Sequence, residues 1–298
     1  MKLRIGTRRS RLALAQAHEI EELLSAERID TEVVTITTSG DRGLPARPGD
    51  AGLKGLFVAE IVAALQAGEI DVAVHSAKDL PAGDPDGVVV GAVPERLDPR
   101  DVLIHREERW LGGVVGTSSI RRRAQFARRH PEVKVVDLRG NVDTRLSKLD
   151  ADQVQGLVLA AAGLLRLDIH PPHSMALSTA EMVPAPGQGA LALQVQADSE
   201  ALHLLGVLDH APSRNAFEAE RALMSIIGGG CALPLGALAQ PQPDGVHLRA
   251  VVVSVDGEEL VRGQARESSP ARAAELVAEQ LLSGGAGAIL AAVRNSVP

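Results

Sequence analysis

Apolar residues recur along this chain with two alternating periods. Residues 2–6 read as a short strand. Ala13, Ala17, Ile20 and Leu24, spaced four, three and four, then lay one apolar stripe along a helix for which Ser10 is the expected cap. Thr31–Thr37 alternates as a strand does. Val58, Ile61, Val62 and Leu65 return to the helical period, and Gly68 ends it. Ile70, Val72 and Val74 alternate with Asp71, Ala73 and His75 and run into Ser76-Ala77-Lys78-Asp79-Leu80-Pro81. Strands and helices in alternation predict a mostly parallel sheet with helices on both faces. Ligands of such sheets bind beyond the carboxyl ends of the strands, where Lys78 and Asp79 would sit.

Residues 98–101 read as a crossing, after which a second series begins. Val114-Val115 leads to a helix over Ile120–Arg129, which Pro131 stops. Val133–Asp137 and Gly156–Ala160 read as strands, each followed by a helix, through Leu149 and Leu167. Pro184–Gly189 has the composition of a hinge, and Ala190–Gln196 reads as a strand returning to the first sheet. From Asn215 the style changes: one helix, antiparallel strands over Ala237–Ala265 turning at Asp244-Gly245 and Asp256-Gly257, then an amphipathic helix over Ala271–Leu282. The expected fold is α/β, with two lobes, a cleft between them, and a small α+β C-terminal domain. The expected division is 1–96 with 190–208, then 97–189, then 209–298. Ser39–Gly55 is rich in Gly, Pro, Arg and Asp without apolar periodicity, and residues 39–55 are expected to form a mobile loop.

Composition narrows the classes. The chain has 298 residues, enough for several cores, and a net charge of −7, which argues against a general nucleic-acid binder. One cysteine excludes an internal disulfide and fits a reducing cytoplasm. Basic residues Lys2–Arg11 followed by Leu12–Ala17 have some features of a leader, but Gln16, His18 and Glu19 break the apolar run too early. No run reaches about 18 apolar residues, so no membrane span is expected.

Three features carry chemistry. The lone cysteine sits in Gly228-Gly229-Gly230-Cys231-Ala232-Leu233-Pro234, where glycines leave one approach to the sulfur open. Taken alone, such a cysteine reads as a buried, inert thiol. Basic residues recur between strands and helices: Arg8 and Arg9 after the first strand, Arg121 and Arg122 beside Thr117 and Ser119, then Arg139, Arg145 and Arg166. Helix N-termini attract anions, and guanidinium groups grip carboxylates bidentately. Neither a phosphate-loop motif nor a GxGxxG opening a helix is present, so carboxylates are the expected ligands. Asp79 is the odd group, ordinarily a counter-ion among arginines, otherwise a general acid and base.

The motifs resemble the porphobilinogen deaminase (hydroxymethylbilane synthase) family over nearly the whole chain. They are Gly6-Thr7-Arg8-Arg9-Ser10, Lys54-Gly55-Leu56-Phe57, Val74–Pro81, Gly116–Arg122, Leu138–Leu146, Ala162–Leu167, Gly187-Gln188-Gly189-Ala190 and Gly229-Gly230-Cys231. Any one is weak; eight in the family's order are specific. The resemblance implies two lobes like those of periplasmic binding proteins, and a dipyrromethane cofactor joined to Cys231 through a thioether. It implies a transferase that condenses four porphobilinogen molecules head-to-tail, loses ammonia at each step and releases hydroxymethylbilane. Asp79 falls on the family's catalytic aspartate. Arg8, Arg121, Arg122, Arg139, Arg145 and Arg166 fall on its carboxylate-binding arginines. Lys78, Ser10, Thr117 and Ser119 match its polar contacts, and Lys54 and Phe57 lie in or beside the mobile loop. A leucine at Arg122 is expected to stall chain growth while leaving the fold intact.

Arg11 stands where the family often has proline and Leu53 where it often has glycine, while residues 168–182 match no pattern. The resemblance implies a monomer; cysteine usage, charge and the lack of a long apolar run make the expectation a cytoplasmic protein with neither nucleic acid nor membrane as partner, and no metal is expected. The rivals are a non-catalytic two-lobed protein that binds a small anion, and a nucleic-acid-binding regulator, which would need a basic face.

Overall fold

The structure is a computed structural model that describes residues 2–37, 52–228 and 233–296, with the backbone alone over 52–57 and at 296. The first lobe contains β1 (Leu3–Arg8), α1 (Arg11–Ala26), β2 (Thr31–Ile36), α2 (Gly52–Gln66), β3 (Val72–Ser76), a 3-10 turn over Ala77–Asp79 and β4 (Val88–Ala92). The second contains β5 (Asp101–His105), β6 (Val114–Gly116), α3 (Ile120–Arg129), β7 (Lys134–Val136), α4 (Val142–Asp150), β8 (Gly156–Ala160), α5 (Ala161–Arg166) and β9 (Ser174–Ala176). After these come β10 (Leu191–Gln196), α6 (Glu200–Leu205), α7 (Ala211–Ile227), β11 (Leu235–Gln242), β12 (Gly245–Val253), β13 (Leu260–Glu267), α8 (Pro270–Ser283) and α9 (Ala286–Ser296).

The two five-stranded sheets share one plan. Their orders are β2-β1-β3-β10-β4 and β7-β6-β8-β5-β9. In each, three strands run parallel, the fourth arrives from the other lobe and runs antiparallel, and the fifth closes the edge. The exchanged strands are β5 and β10, so the chain crosses between lobes twice. This is the expected α/β pair, and the antiparallel sheet β11-β12-β13 with α7 and α8 against one face is the expected α+β addition. Apolar layers fill both faces of the first sheet: Ala17, Ile20 and Leu24 of α1 on one side, Ile61, Val62 and Leu65 of α2 on the other.

One expected boundary changes, and one unassigned segment acquires a strand. α2 begins at Gly52, so residues 52–55 are helical backbone rather than loop. Their glycines lower helix propensity, which is why the sequence reads as irregular there. Residues 38–51, most of the expected mobile loop, lie outside the described residues. The segment 168–182 carries β9, three exposed residues at the sheet edge. An edge strand with nothing to bury leaves no alternation to read.

The crossings are locked from α7. Glu220 is fully buried and accepts from Arg96 Nη1 at 2.7 Å and Nη2 at 3.2 Å, from Gly187 N at 2.5 Å and from Ala239 N at 2.7 Å. One carboxylate thereby joins the first crossing, the second crossing and the C-terminal sheet. Gly187 and Gly189 have φ of +73° and +92°, and a Cβ there would stand 2.8 Å from Lys78 N and 2.5 Å from Leu97 O. Glycine is required on both counts.

Candidate active site

β1 and β3 are neighbours and run parallel, so their carboxyl ends lie side by side. Arg8 closes β1, and the turn carrying Lys78 and Asp79 follows β3. Ser10 caps α1, its hydroxyl accepting from Ala13 N at 3.3 Å. These ends enclose a pocket of about 200 Å³ lined by Thr7, Arg8, Ser10, Gln16, His75 and Asp79. Gln16 Nε2 donates to Ser76 Oγ at 2.7 Å and braces the strand that leads to Asp79. Lys78 and Asp79 are half-buried, and the Lys78 backbone backs onto Gly187.

In the second lobe the segments after the corresponding strands carry Thr117, Ser119 and Arg139, and Arg145 follows within α4. Thr117 is buried, and its Oγ1 accepts from Ser119 N at 3.2 Å. Ser119 caps α3. Arg145 donates from Nε to Gly140 O at 2.8 Å and from Nη2 to Ser118 Oγ at 3.1 Å. Burial, and then the neighbouring Arg122 charge, lower its pKa. The Asp137 carboxylate acts in the opposite direction. Arg139 is exposed and leans on Asp137 at 2.9 Å.

Arg121 and Arg122, expected to bind carboxylates in the cleft, are both buried and paired within the protein. Arg121 Nη1 donates to Asp101 Oδ2 and Val183 O, both at 2.7 Å. Arg122 uses Nε and Nη2 on Asp101 Oδ1 at 3.0 and 2.7 Å, and Nη1 on Val158 O at 2.9 Å. Asp101 is fully buried and also accepts from Gln188 Nε2 at 2.9 Å. Burial alone would raise its pKa, but the two guanidiniums outweigh that and hold it far below the usual carboxylate range. The spacing of a strand-to-helix arginine does not reveal whether it faces cleft or core. Arg122→Leu would therefore strip a buried carboxylate of one of its two cationic partners, so it should lower stability as well as stall chain growth. Asp101→Asn, which leaves two buried cations against a neutral amide, should lower stability by about 3–5 kcal/mol, read as a fall in the urea midpoint. An unchanged midpoint would contradict this.

Two ion pairs bring the lobes together at the cleft. Arg11, at the start of α1, donates from Nη1 to Asp143 Oδ1 at 2.7 Å in the first turn of α4. Arg166 of α5 donates from Nε to Glu19 Oε2 at 2.6 Å and from Nη1 to Gly189 O at 3.3 Å. The N-termini of α1 and α4 are thus held beside each other, and with them the Arg8–Asp79 pocket and the turn that carries Arg139 into α4. Sequence reading missed Asp101, Glu19, Glu220 and Arg96; a lone acid in a strand or helix pattern carries no signal of its distant partner. Cys231 lies outside the described residues, as do the side chains of Lys54 and Phe57. A groove of about 1010 Å³ lies elsewhere, between α3 and the C-terminal sheet, and holds none of the expected site residues.

His75, beneath Asp79, is fully buried, and burial lowers its pKa from 6.5 to about 4. The folded protein keeps it neutral where the unfolded chain already binds a proton. Its contribution is therefore complete above pH 6.5 and is lost as the pH falls towards 4. A shift of that size corresponds to about 3 kcal/mol. The urea midpoint should fall across that window in the wild type and fall less in His75→Gln; equal pH profiles would count against this.

Two family models match the chain: porphobilinogen deaminase, dipyromethane cofactor binding domain, over residues 3–203, and porphobilinogen deaminase, C-terminal domain, over 215–283. Among curated relatives, the porphobilinogen deaminase of Desulforudis audaxviator is 47% identical over 302 residues, covering 97% of each chain. That of Thermus thermophilus is 44% identical over 302 residues, covering 97% of this chain and 98% of its own. Among solved structures, an ancestral cationic amino acid solute binding protein aligns with a TM-score of 0.42 and 14% identity, over 70% of this chain and 87% of that one.

Proposed function

The chain belongs to the porphobilinogen deaminase family, and from that premise we propose how its own residues carry out the condensation of four porphobilinogen molecules into hydroxymethylbilane. The observation that carries the reading is Asp79, a carboxylate at the end of β3 in a pocket with Arg8 and Ser10, held opposite the cationic loop of the second lobe.

Each substrate arrives with an aminomethyl group that must leave as ammonia. Asp79 donates a proton to the departing amine, and its carboxylate then faces the cationic methylene-pyrrole that remains. After the new carbon–carbon bond has formed, the same carboxylate accepts the proton lost from the pyrrole α-carbon. Dipyrromethane, when bound, supplies the nucleophilic α-carbon from which the chain grows. Cys231 is its proposed anchor, three residues beyond the left-handed Gly228 cap of α7. A thioether suits that role because it withstands the water that releases the product.

Every pyrrole adds two carboxylates, so the cleft must hold growing negative charge. The donor set fits. Arg8 at the end of β1, Arg139 in the loop before α4 and Arg145 within α4 supply the cations, with Ser10, Lys78, Thr117 and Ser119 supplying shorter polar contacts. Arg121 and Arg122 with Asp101 carry one net positive charge and act through their field. Arg166 becomes available as the lobes part and Glu19 releases it. Lys54 and Phe57 are assigned to closure over the site. A binding protein without chemistry is not favoured by the family to which the chain belongs.

Incubation with porphobilinogen should release four ammonia molecules per hydroxymethylbilane. Binding without ammonia release would overturn the reading. A monomer in the cytoplasm, with neither nucleic acid nor membrane as partner, completes the proposal. Among the described residues, no single helix is long and apolar enough to cross a membrane.

A further inference from the structure

Asp79 belongs to the first lobe, whereas the cysteine follows a helix of the C-terminal domain. Asp79 must stay aligned with a chain whose root is fixed to the C-terminal domain, and a misplacement of about 1 Å can lower the rate by roughly a hundredfold. Something must fix the Asp79 turn against α7.

Arg221 of α7 meets that requirement. Its Nη2 and Nη1 donate to Asp84 Oδ1 and Oδ2 at 2.7 and 2.9 Å, and its Nε donates to Pro81 O at 3.1 Å. Pro81 and Asp84 lie two and five residues after Asp79, so all three bonds fall on the segment leaving the catalytic turn. The pair is largely shielded, with side-chain exposures of 14% and 24%. The guanidinium also lies over the Phe217 ring, 5.6 Å from its centroid, and Phe217 is buried in the core of the first lobe. Ala82, between the two anchors, packs against the core of the C-terminal domain.

Asp84 is held from the other side as well. Gln194 Nε2 of β10 donates to Asp84 Oδ1 at 2.7 Å. Gln194 is beside His75, in the strand that delivers Asp79. Consecutive residues of α7 point about 100° apart, which gives Glu220 and Arg221 separate tasks. Glu220 grips the hinge, and Arg221 grips the loop after Asp79.

We propose that Arg221 is a positioning residue for the reaction: its two-pronged hold on Asp84 and its bond to the Pro81 carbonyl set the reach from Asp79 to the cofactor anchored beyond α7. This rests on the assignment of Asp79 and Cys231 above.

Arg221→Met keeps the stem and removes the fork; Asp84→Asn weakens the same contact from the first lobe and serves if the methionine variant fails to fold. Either variant should carry the two-pyrrole adduct by intact mass. Its kcat should fall about tenfold to a hundredfold, with KM for porphobilinogen within about threefold of wild type. The double variant should be no slower than the slower single one, because both changes break one contact. Arg221→Lys, which cannot make the parallel pair of bonds, should recover only part of the loss. A lower melting temperature with unchanged kcat would reduce the pair to a brace and overturn the proposal. So would losses that multiply in the double variant, or a variant purified without its adduct. Failure of the underlying reading is visible separately in the wild type, as absence of both adduct and ammonia release.

Discussion

Asp79→Asn leaves the protein folded and lowers turnover by about two to four orders of magnitude, the range that positioned acid–base groups contribute. Asparagine keeps the size of the side chain and its capacity to accept a hydrogen bond, so the pocket formed with Arg8, Ser10 and His75 should keep its shape. It has no proton of suitable acidity for the leaving amine and no negative charge for the cation that follows. Binding depends on the arginines, so KM should change little while kcat collapses. Ammonia release in a single turnover reads this step directly. Wild-type release by the asparagine variant would remove Asp79 from the mechanism.

Cys231→Ser should abolish the dipyrromethane adduct and, with it, nearly all production of hydroxymethylbilane. A serine hydroxyl is not ionised near neutrality, whereas a thiol with an ordinary pKa is a few per cent thiolate there and intrinsically more nucleophilic. No second cysteine can substitute, because the chain has one. The variant should stay as stable as the unprimed wild type, since serine differs from cysteine by a single atom. Full activity with an adduct elsewhere would move the anchor to another residue.

How far these readings were available from the sequence depended on range. Where a structural feature is encoded within a few residues, it was legible. The alternation from Ile70 to Val74 announces β3. Gly68 ends α2 with φ of +71°, and the Asp-Gly turns at 244–245 and 256–257 place glycine at φ of +142° and +83°. The return of β10 to the first sheet was legible in Ala190–Gln196 after the Pro184–Gly189 hinge, and the passage to the second lobe in Asp98–Asp101; that β5 and β10 run antiparallel to their neighbours was not.

What escaped was encoded by partners far apart in the chain. Asp101 draws Arg121 and Arg122 inward from 20 and 21 residues away, and nothing local to either motif distinguishes a buried counter-ion from a cleft ligand. Glu220 looks like an ordinary polar position of an amphipathic helix until Arg96, Gly187 and Ala239 converge on it. The Arg11–Asp143 pair likewise joins residues 132 apart.

The central claim is that the chain builds its product on a primer fixed to its only thiol. Intact mass of the purified, active protein under denaturing conditions tests it most directly. The account predicts a mass above that of the sequence by two pyrrole units, with no titratable thiol. An active preparation with the bare mass of the sequence and Cys231 free to react would contradict it.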